Sequence, residues 1–338
     1  MAASNRLKAK VCLVAGATRG AGRGIACMLG EAGATVYCTG RSVRGSPNMT
    51  GYFAGRPESI DETAEMVTAR GGIGIAVRTD HLIEGEVKGL VDRIRREQGR
   101  LDGLVNDISE GDTHEFKPFW QLSLERAFAM FRNGVYSHVI TCRHAVPLMI
   151  ERKRASPGLI VEVGDGDTLD YRQQLFYDLI KVTVSRMAYA MAEELHKHNV
   201  AAVAVTPGYM RTETMLEGFG VSEANWREGG KQDPNFLASE SPFFVGRAIA
   251  ALAADPNVME KSGGLYGSWT LSDEYGFADV DGNRPHLGRH FAQVYGDQPP
   301  GGRPKTGFRW VIAAEPTLAA PPKKRRGRSA DKSSRAAS

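Results

Sequence analysis

Cysteine is scarce in this chain of 338 residues: Cys12, Cys27, Cys38 and Cys142 are the four, with no paired spacing. That excludes a disulfide framework and leads us to expect a reducing, cytoplasmic setting. No apolar run of about 18 residues is present, and the N-terminus has no apolar core of signal-peptide type, so neither a spanning helix nor a leader is expected. The eight histidines make no convincing ligand set. His286 and His290 stand four apart, and Asp112, His114 and Glu115 cluster, but neither group has a convincing third ligand, so no metal is expected. A uniform charge is also lacking. The net charge is +4, yet residues 317–338 hold seven Lys or Arg against one Asp, which leaves about −2 for the rest. A broadly basic body for nucleic acid is thereby excluded. Residues 298–338, proline-rich and basic, are expected to be a largely disordered solubilising tail, the one place where nucleic acid or an anionic surface would bind.

What the sequence does contain is regular alternation. Apolar, β-branched runs at 11–15, 34–38, 74–77, 101–105, 159–163 and 200–205 alternate with longer amphipathic stretches such as 86–97 and 183–198. Strands of that kind, separated by helices, imply an α/β fold with a parallel sheet covered on both faces. Right-handed crossovers then line the strand C-termini along one edge, where ligands bind in such sheets. The pattern supports one domain over residues 1–297. Ser59 followed by Glu62 is a capping box and predicts a helix start after the second strand.

The first strand runs into Gly16, Gly20, Gly22 and Gly24, and then Ile25, Met28 and Leu29 at helical spacing. Gly16 suits a sharp turn off the strand, Gly20 lets backbone approach a pyrophosphate, and Gly22 lets the helix pack closely. The helix N-terminus offers its N–H groups to phosphate. Thr39-Gly40-Arg41-Ser42, ending the second strand, has no acid to bind ribose hydroxyls. Arg41, with Arg19 inside the glycine loop, offers guanidinium to a 2′-phosphate instead, so NADP is expected over NAD. Farther on, Tyr177 and Lys181 are four apart and share a helix face. An ammonium beside the phenol favours phenolate, drawing its pKa down from about 10 towards the working pH. Such a tyrosine gives a proton to a carbonyl oxygen or takes one from an alcohol.

Together and in this order, over roughly residues 8–275, these motifs resemble the short-chain dehydrogenase/reductase family. The resemblance implies a Rossmann-type doubly wound parallel sheet in a single domain, and hydride transfer by a nicotinamide cofactor. Gly16, Gly20 and Gly22, with Thr18, Arg19 and Ala21 between them, match the family's cofactor loop. Asp80 matches its adenine-contacting acid, and Asn106 the first Asn of its Asn-Asn-Ala-Gly. Tyr177 and Lys181 match the catalytic pair, the lysine also gripping the nicotinamide ribose. Pro207, Gly208 and Thr212 match the segment that meets the carboxamide. Asn133 is the candidate for the family's water-positioning asparagine, although its spacing to Pro147 fits imperfectly. Residues 218–226 fall where the family has a substrate lid; Met215, Leu216, Phe219 and Trp226 would wall an apolar pocket there or belong to the core. Phe116, Phe119 and Trp120 suggest a rim. The resemblance further implies a homodimer or homotetramer paired through helices at 124–150 and 176–198.

One motif departs from the pattern. After the fifth strand the chain reads Val163-Gly164-Asp165-Gly166-Asp167-Thr168, and the family's substrate-orienting serine falls on Asp165. A serine donates a hydrogen bond to the substrate oxygen, whereas an ionised aspartate only accepts. Three readings follow. Asp165 is protonated and donates; it is charged and binds a hydroxyl or amine of the substrate while Thr168 or backbone N–H groups orient the carbonyl; or turnover is lost. The main expectation is an NADP-dependent carbonyl reductase or alcohol dehydrogenase acting on a small molecule. The alternatives are a reductase of an imine or other substrate bound by Asp165, and a non-catalytic NADP-binding sensor or scaffold.

Overall fold

The apolar runs form the sheet. A computed structural model describes residues 5–46, 53–109, 111, 117–151, 155–166, 171–172 and 174–296. In chain order these give β1 (Val11–Ala15), α1 (Gly20–Glu31), β2 (Thr35–Gly40), α2 (Ile60–Ala69), β3 (Ile73–Arg78), α3 (Glu84–Gln98), β4 (Gly103–Asn106), α4 (Leu124–Phe131), α5 (Ser137–Ile150), β5 (Gly158–Val163), α6 (Leu175–Leu195), β6 (Val200–Thr206), α7 (Glu213–Phe219), α8 (Pro242–Ala254), β7 (Leu265–Gly267), α9 (Ser268–Tyr275) and α10 (Leu287–Tyr295). The strands lie in the order β3-β2-β1-β4-β5-β6-β7, and every pairing is parallel. This is the expected doubly wound sheet. Its order reverses between β1 and β4, which opens a crevice beyond Ala15 and Asn106.

Both faces of the sheet are covered, so the central strands are apolar throughout instead of alternating. On one side Ile25 and Leu29 of α1, Val67 of α2 and Ile249 and Leu252 of α8 pack on the strands. On the other, Leu90 and Ile94 of α3, Leu148 of α5 and Leu195 of α6 do so. Two glycines let α1 and α8 meet backbone to backbone. A Cβ on Gly24 would stand 2.0 Å from the Pro242 carbonyl oxygen, and one on Gly246 would stand 2.5 Å from that of Gly24. No side chain fits that seam.

Local signals held, with two differences. Ser59 caps α2 by accepting from the Glu62 N–H at 3.2 Å, but the Glu62 carboxylate is drawn to Arg23 at 2.6 Å because a guanidinium outbids a backbone N–H. The helix expected over 124–150 is two helices joined by a π turn at Arg132–Tyr136. A π turn takes up an additional residue, and Asn133 lies within it. The expected tail at 298–338 lies outside the described residues, as do Thr168, Asp112, His114, Glu115 and Phe116.

Candidate active site

The crevice begins with the turn off β1. Gly16 has φ +94°, and a Cβ there would lie 2.3 Å from the Asp107 carbonyl oxygen. A Cβ on Gly22 would lie 2.2 Å from the Gly16 carbonyl oxygen, so the loop closes on itself only with glycine. Thr18 and Ala21 are buried inside it. Arg19 precedes α1 and gives it no side-chain cap. Its Nε donates to Glu58 at 3.1 Å, while its Nη2 is buried without a hydrogen-bond partner. A tight glycine turn at a helix N-terminus and an unsatisfied guanidinium nitrogen suit a dinucleotide's phosphates. Arg41 is half-buried past the end of β2. Asp80, beyond β3, is half-buried and accepts the Leu82 N–H at 3.0 Å, which holds its loop.

Across the crevice, Gln174 caps α6 by accepting from the Tyr177 N–H at 2.6 Å, which fixes Tyr177 in the helix's first turn. The Tyr177 hydroxyl donates to an Asp165 carboxylate oxygen at 2.6 Å. Lys181 Nζ lies 5.1 Å from the centre of the same ring. Tyr177 and Ile180 pack against Met130 and Val135, which flank Asn133. The structure thus brings Tyr177, Lys181, Asp165 and the π turn of Asn133 together. Asp165 is held from behind, where the Gly166 N–H donates to Thr206 Oγ1 at 2.6 Å.

Below them lies a buried polar chain. Asn106 Nδ2 donates to Glu162 at 2.8 Å, and the other Glu162 oxygen meets His138 Nδ1 at 2.6 Å. His138 Nε2 reaches the Ile108 carbonyl at 3.2 Å. Burial of a carboxylate is tolerable only with such partners. The Asn106 amide nitrogen is therefore committed beneath the crevice, while its Oδ1 is buried without a hydrogen-bond partner. The carboxamide segment is clamped as well. Glu240 is 1% exposed and accepts from the Gly208 N–H at 2.9 Å and from Ser268 at 2.5 Å. Burial pushes its pKa up to about 8. Pro207 follows directly on β6. Thr212 caps α7, and its methyl would lie 3.5 Å from a Cβ on Gly20.

The profile of the short chain dehydrogenase family matches residues 10–218. The chain belongs to that family. As a short-chain dehydrogenase it is an NAD(P)-linked oxidoreductase, built on the sheet and crevice just described. It is 35% identical over 284 residues to the mouse (Mus musculus) protein named dehydrogenase/reductase SDR family member 1, covering 82% of this chain and 85% of that one. It is 25% identical over 252 residues to the NADPH-dependent aldehyde reductase 1 of Arabidopsis thaliana chloroplasts, covering 75% and 82%. A solved short chain dehydrogenase of Mycobacterium thermoresistibile superposes with a TM-score of 0.67 at 20% identity, covering 88% of this chain and 99% of that one.

Of the two readings open for the aromatic residues after the carboxamide segment, pocket wall or core, Phe219 and Trp226 follow the second. Phe219 stacks on Phe236 at 4.3 Å, and Trp226, 5% exposed, meets the same ring edge-on at 6.1 Å. They make a small aromatic core because Phe236 offers more apolar contact than open solvent. Phe119 and Trp120 are exposed. Sequence reasoning missed Glu162, His138, Glu240, Arg56, Glu58 and Glu213. Only Glu213, beside Thr212, sits within a motif where it could have been noticed.

Proposed function

We propose that the chain is an NADP-preferring reductase or dehydrogenase of a carbonyl/alcohol pair, with Tyr177 as its general acid and base. The observation that carries this is the Tyr177 hydroxyl, bonded to Asp165 and flanked by Lys181, at the carboxyl edge of the sheet. A bound nicotinamide cofactor supplies or accepts the hydride. Tyr177 moves the proton at the substrate oxygen. Lys181 places a positive charge against the ring and would hold the nicotinamide ribose. Asn133 would position a water near the lysine.

Asp165 takes its part as an acceptor. We take Asp165 as the charged acceptor of the Tyr177 hydroxyl. A carbonyl oxygen arriving at Tyr177 replaces Asp165 as the phenol's acceptor, and the released carboxylate binds a hydroxyl or amine on the substrate. An imine or amino-ketone substrate is the second reading, favoured by that same carboxylate.

For the cofactor, Gly16, Thr18, Gly20, Ala21 and Gly22 would carry the pyrophosphate, and Asp80 and Asn106 the adenine end. Pro207, Gly208 and Thr212 would meet the carboxamide. NADP preference rests on Arg41, which has no ion-pair partner among the described residues, and on the Nη2 of Arg19. The four described thiols are all buried and unpaired, which supports a reducing compartment. A second copy of the chain is the proposed partner.

Calorimetric titration with NADPH and NADH tests the cofactor. NADPH is expected to bind the tighter; equal affinities would remove the argument from Arg41. Hydride transfer to ketones should fall by about 10²–10⁴-fold in Tyr177→Phe. Cofactor binding with no turnover on ketones or imines would favour a sensor.

A further inference from the structure

Two carboxylates of α7 engage the glycine loop and the arginines beside it. Glu213 Oε2 accepts from the Gly20 N–H at 2.9 Å, the first N–H of α1. The other oxygen of Glu213 lies 3.6 Å from Arg23. One helical turn on, Glu217 takes both outer nitrogens of Arg56, at 2.7 and 3.0 Å. Arg56 in turn shares the Glu58 carboxylate with Arg19, at 2.7 Å and 3.1 Å. Glu213 and Glu217 are four apart, so they project from one face of α7. That face spans the distance from the pyrophosphate end of the crevice to its guanidinium end.

We infer that Glu213 and Glu217 occupy the contacts of the cofactor's own anions, and that a dinucleotide binds by displacing them. The inference rests on the NADP reading above and adds to it a coupling between cofactor and lid. A single N–H cannot donate fully to a carboxylate and a phosphate oxygen, and two anions in that space repel. The pyrophosphate carries more charge than a glutamate and takes the N–H groups of the α1 terminus. Glu213 must then leave, and α7, one turn of which it anchors, is released with it. At the far end a 2′-phosphate near Arg19 draws Arg56 away from Glu217. Arg56 becomes a determinant of NADP over NAD, lying in a segment where the family motifs place none. The carboxylates of α7 and the anions of the cofactor thus compete for one set of donors.

The full chain and its Glu213→Gln, Glu217→Gln and Arg56→Ala variants are titrated calorimetrically with NADP+, NAD+ and inorganic pyrophosphate. Glutamine keeps a carbonyl oxygen for the Gly20 N–H but gives up the charge. Glu213→Gln is therefore expected to tighten both nucleotides and pyrophosphate, on the order of tenfold. Glu217→Gln is expected to tighten NADP+ more than NAD+, and Arg56→Ala to weaken NADP+ more than NAD+. Glu213→Asp, whose shorter side chain falls short of the N–H, serves as a second variant and should also bind more tightly. Wild-type binding that is tight and unchanged, or weaker, in both Glu213 variants overturns the inference and leaves the cofactor assignment standing. No nucleotide binding by the wild type or any variant overturns both.

Discussion

The short hydrogen bond between Tyr177 and Asp165 ties the proton donor of the site to an acceptor that belongs to the protein. A substrate must compete for that phenol, and one that also gives Asp165 a donor competes better. Asp165→Ser should leave cofactor affinity unaltered while shifting preference towards plain ketones. Measured as kcat/KM, amine- or hydroxyl-bearing substrates are expected to lose about tenfold or more against neutral ones, the value of one hydrogen bond to a charged group. Identical profiles for both proteins would take Asp165 out of substrate recognition. Tyr177 and Lys181 were legible because four-residue spacing on a helix is a local matter. The Glu213 contact was hidden because its partner, Gly20, is 193 positions away, and no periodicity reports a side chain meeting a distant backbone. The Glu162–His138 pair was hidden for the same reason: a charge in an apolar run is explained only by a partner that the fold supplies.

Between elements, the clamp on Gly208 is sensitive to pH. The segment after β6 pairs with Glu240 through its backbone, the Arg211 N–H donating to the Glu240 carbonyl and the Glu240 N–H to Tyr209, each at 2.8 Å. The Glu240 side chain sits beneath, protonated up to about pH 8 in the fold and only to about 4.3 when unfolded. A raised acid pKa favours the folded state fully below the unfolded value, and that contribution is lost as pH climbs through 8. Glu240→Gln, neutral at every pH, removes the dependence. The fall in Tm between pH 5 and pH 8 should be smaller in this variant than in the wild type; parallel curves would show that Glu240 does not titrate there. At this scale the sequence spoke clearly about strands and about the Ser59 cap. The π turn was not legible, since helix periodicity describes regular turns and gives no sign of one extra residue.

At the scale of the molecule, α4, α5 and α6 leave apolar side chains in solvent. Leu124 and Phe128 on α4, Val139 on α5, and Leu179, Val182 and Tyr189 on α6 are all exposed. Residues 124 and 128, and 179 and 182, recur at helical spacing, which is the mark of a face awaiting cover. These are the helices expected to pair subunits. Sedimentation should find a dimer or tetramer, and Phe128→Arg should shift it towards monomer with unchanged far-UV circular dichroism. A wild-type monomer would rule the pairing out. The sheet as a whole was readable because continuous apolar strands alternating with helices leave few other arrangements. The order of β7, and the way α10 returns to Asn235 through His290, were not, because short strands and polar helix contacts carry little pattern.

The glycine seam between α1 and α8 has one more consequence. Helices slide past one another by moving side chains from groove to groove, and at Gly24 and Gly246 there are none to move. These two helices must travel as one body, and the floor of the crevice is stiff. α7, by contrast, meets its neighbours through side chains: Glu213 reaches the Gly20 N–H and Phe219 stacks on Phe236. A ligand entering the crevice therefore exchanges contacts with α7 while the α1–α8 seam keeps its register.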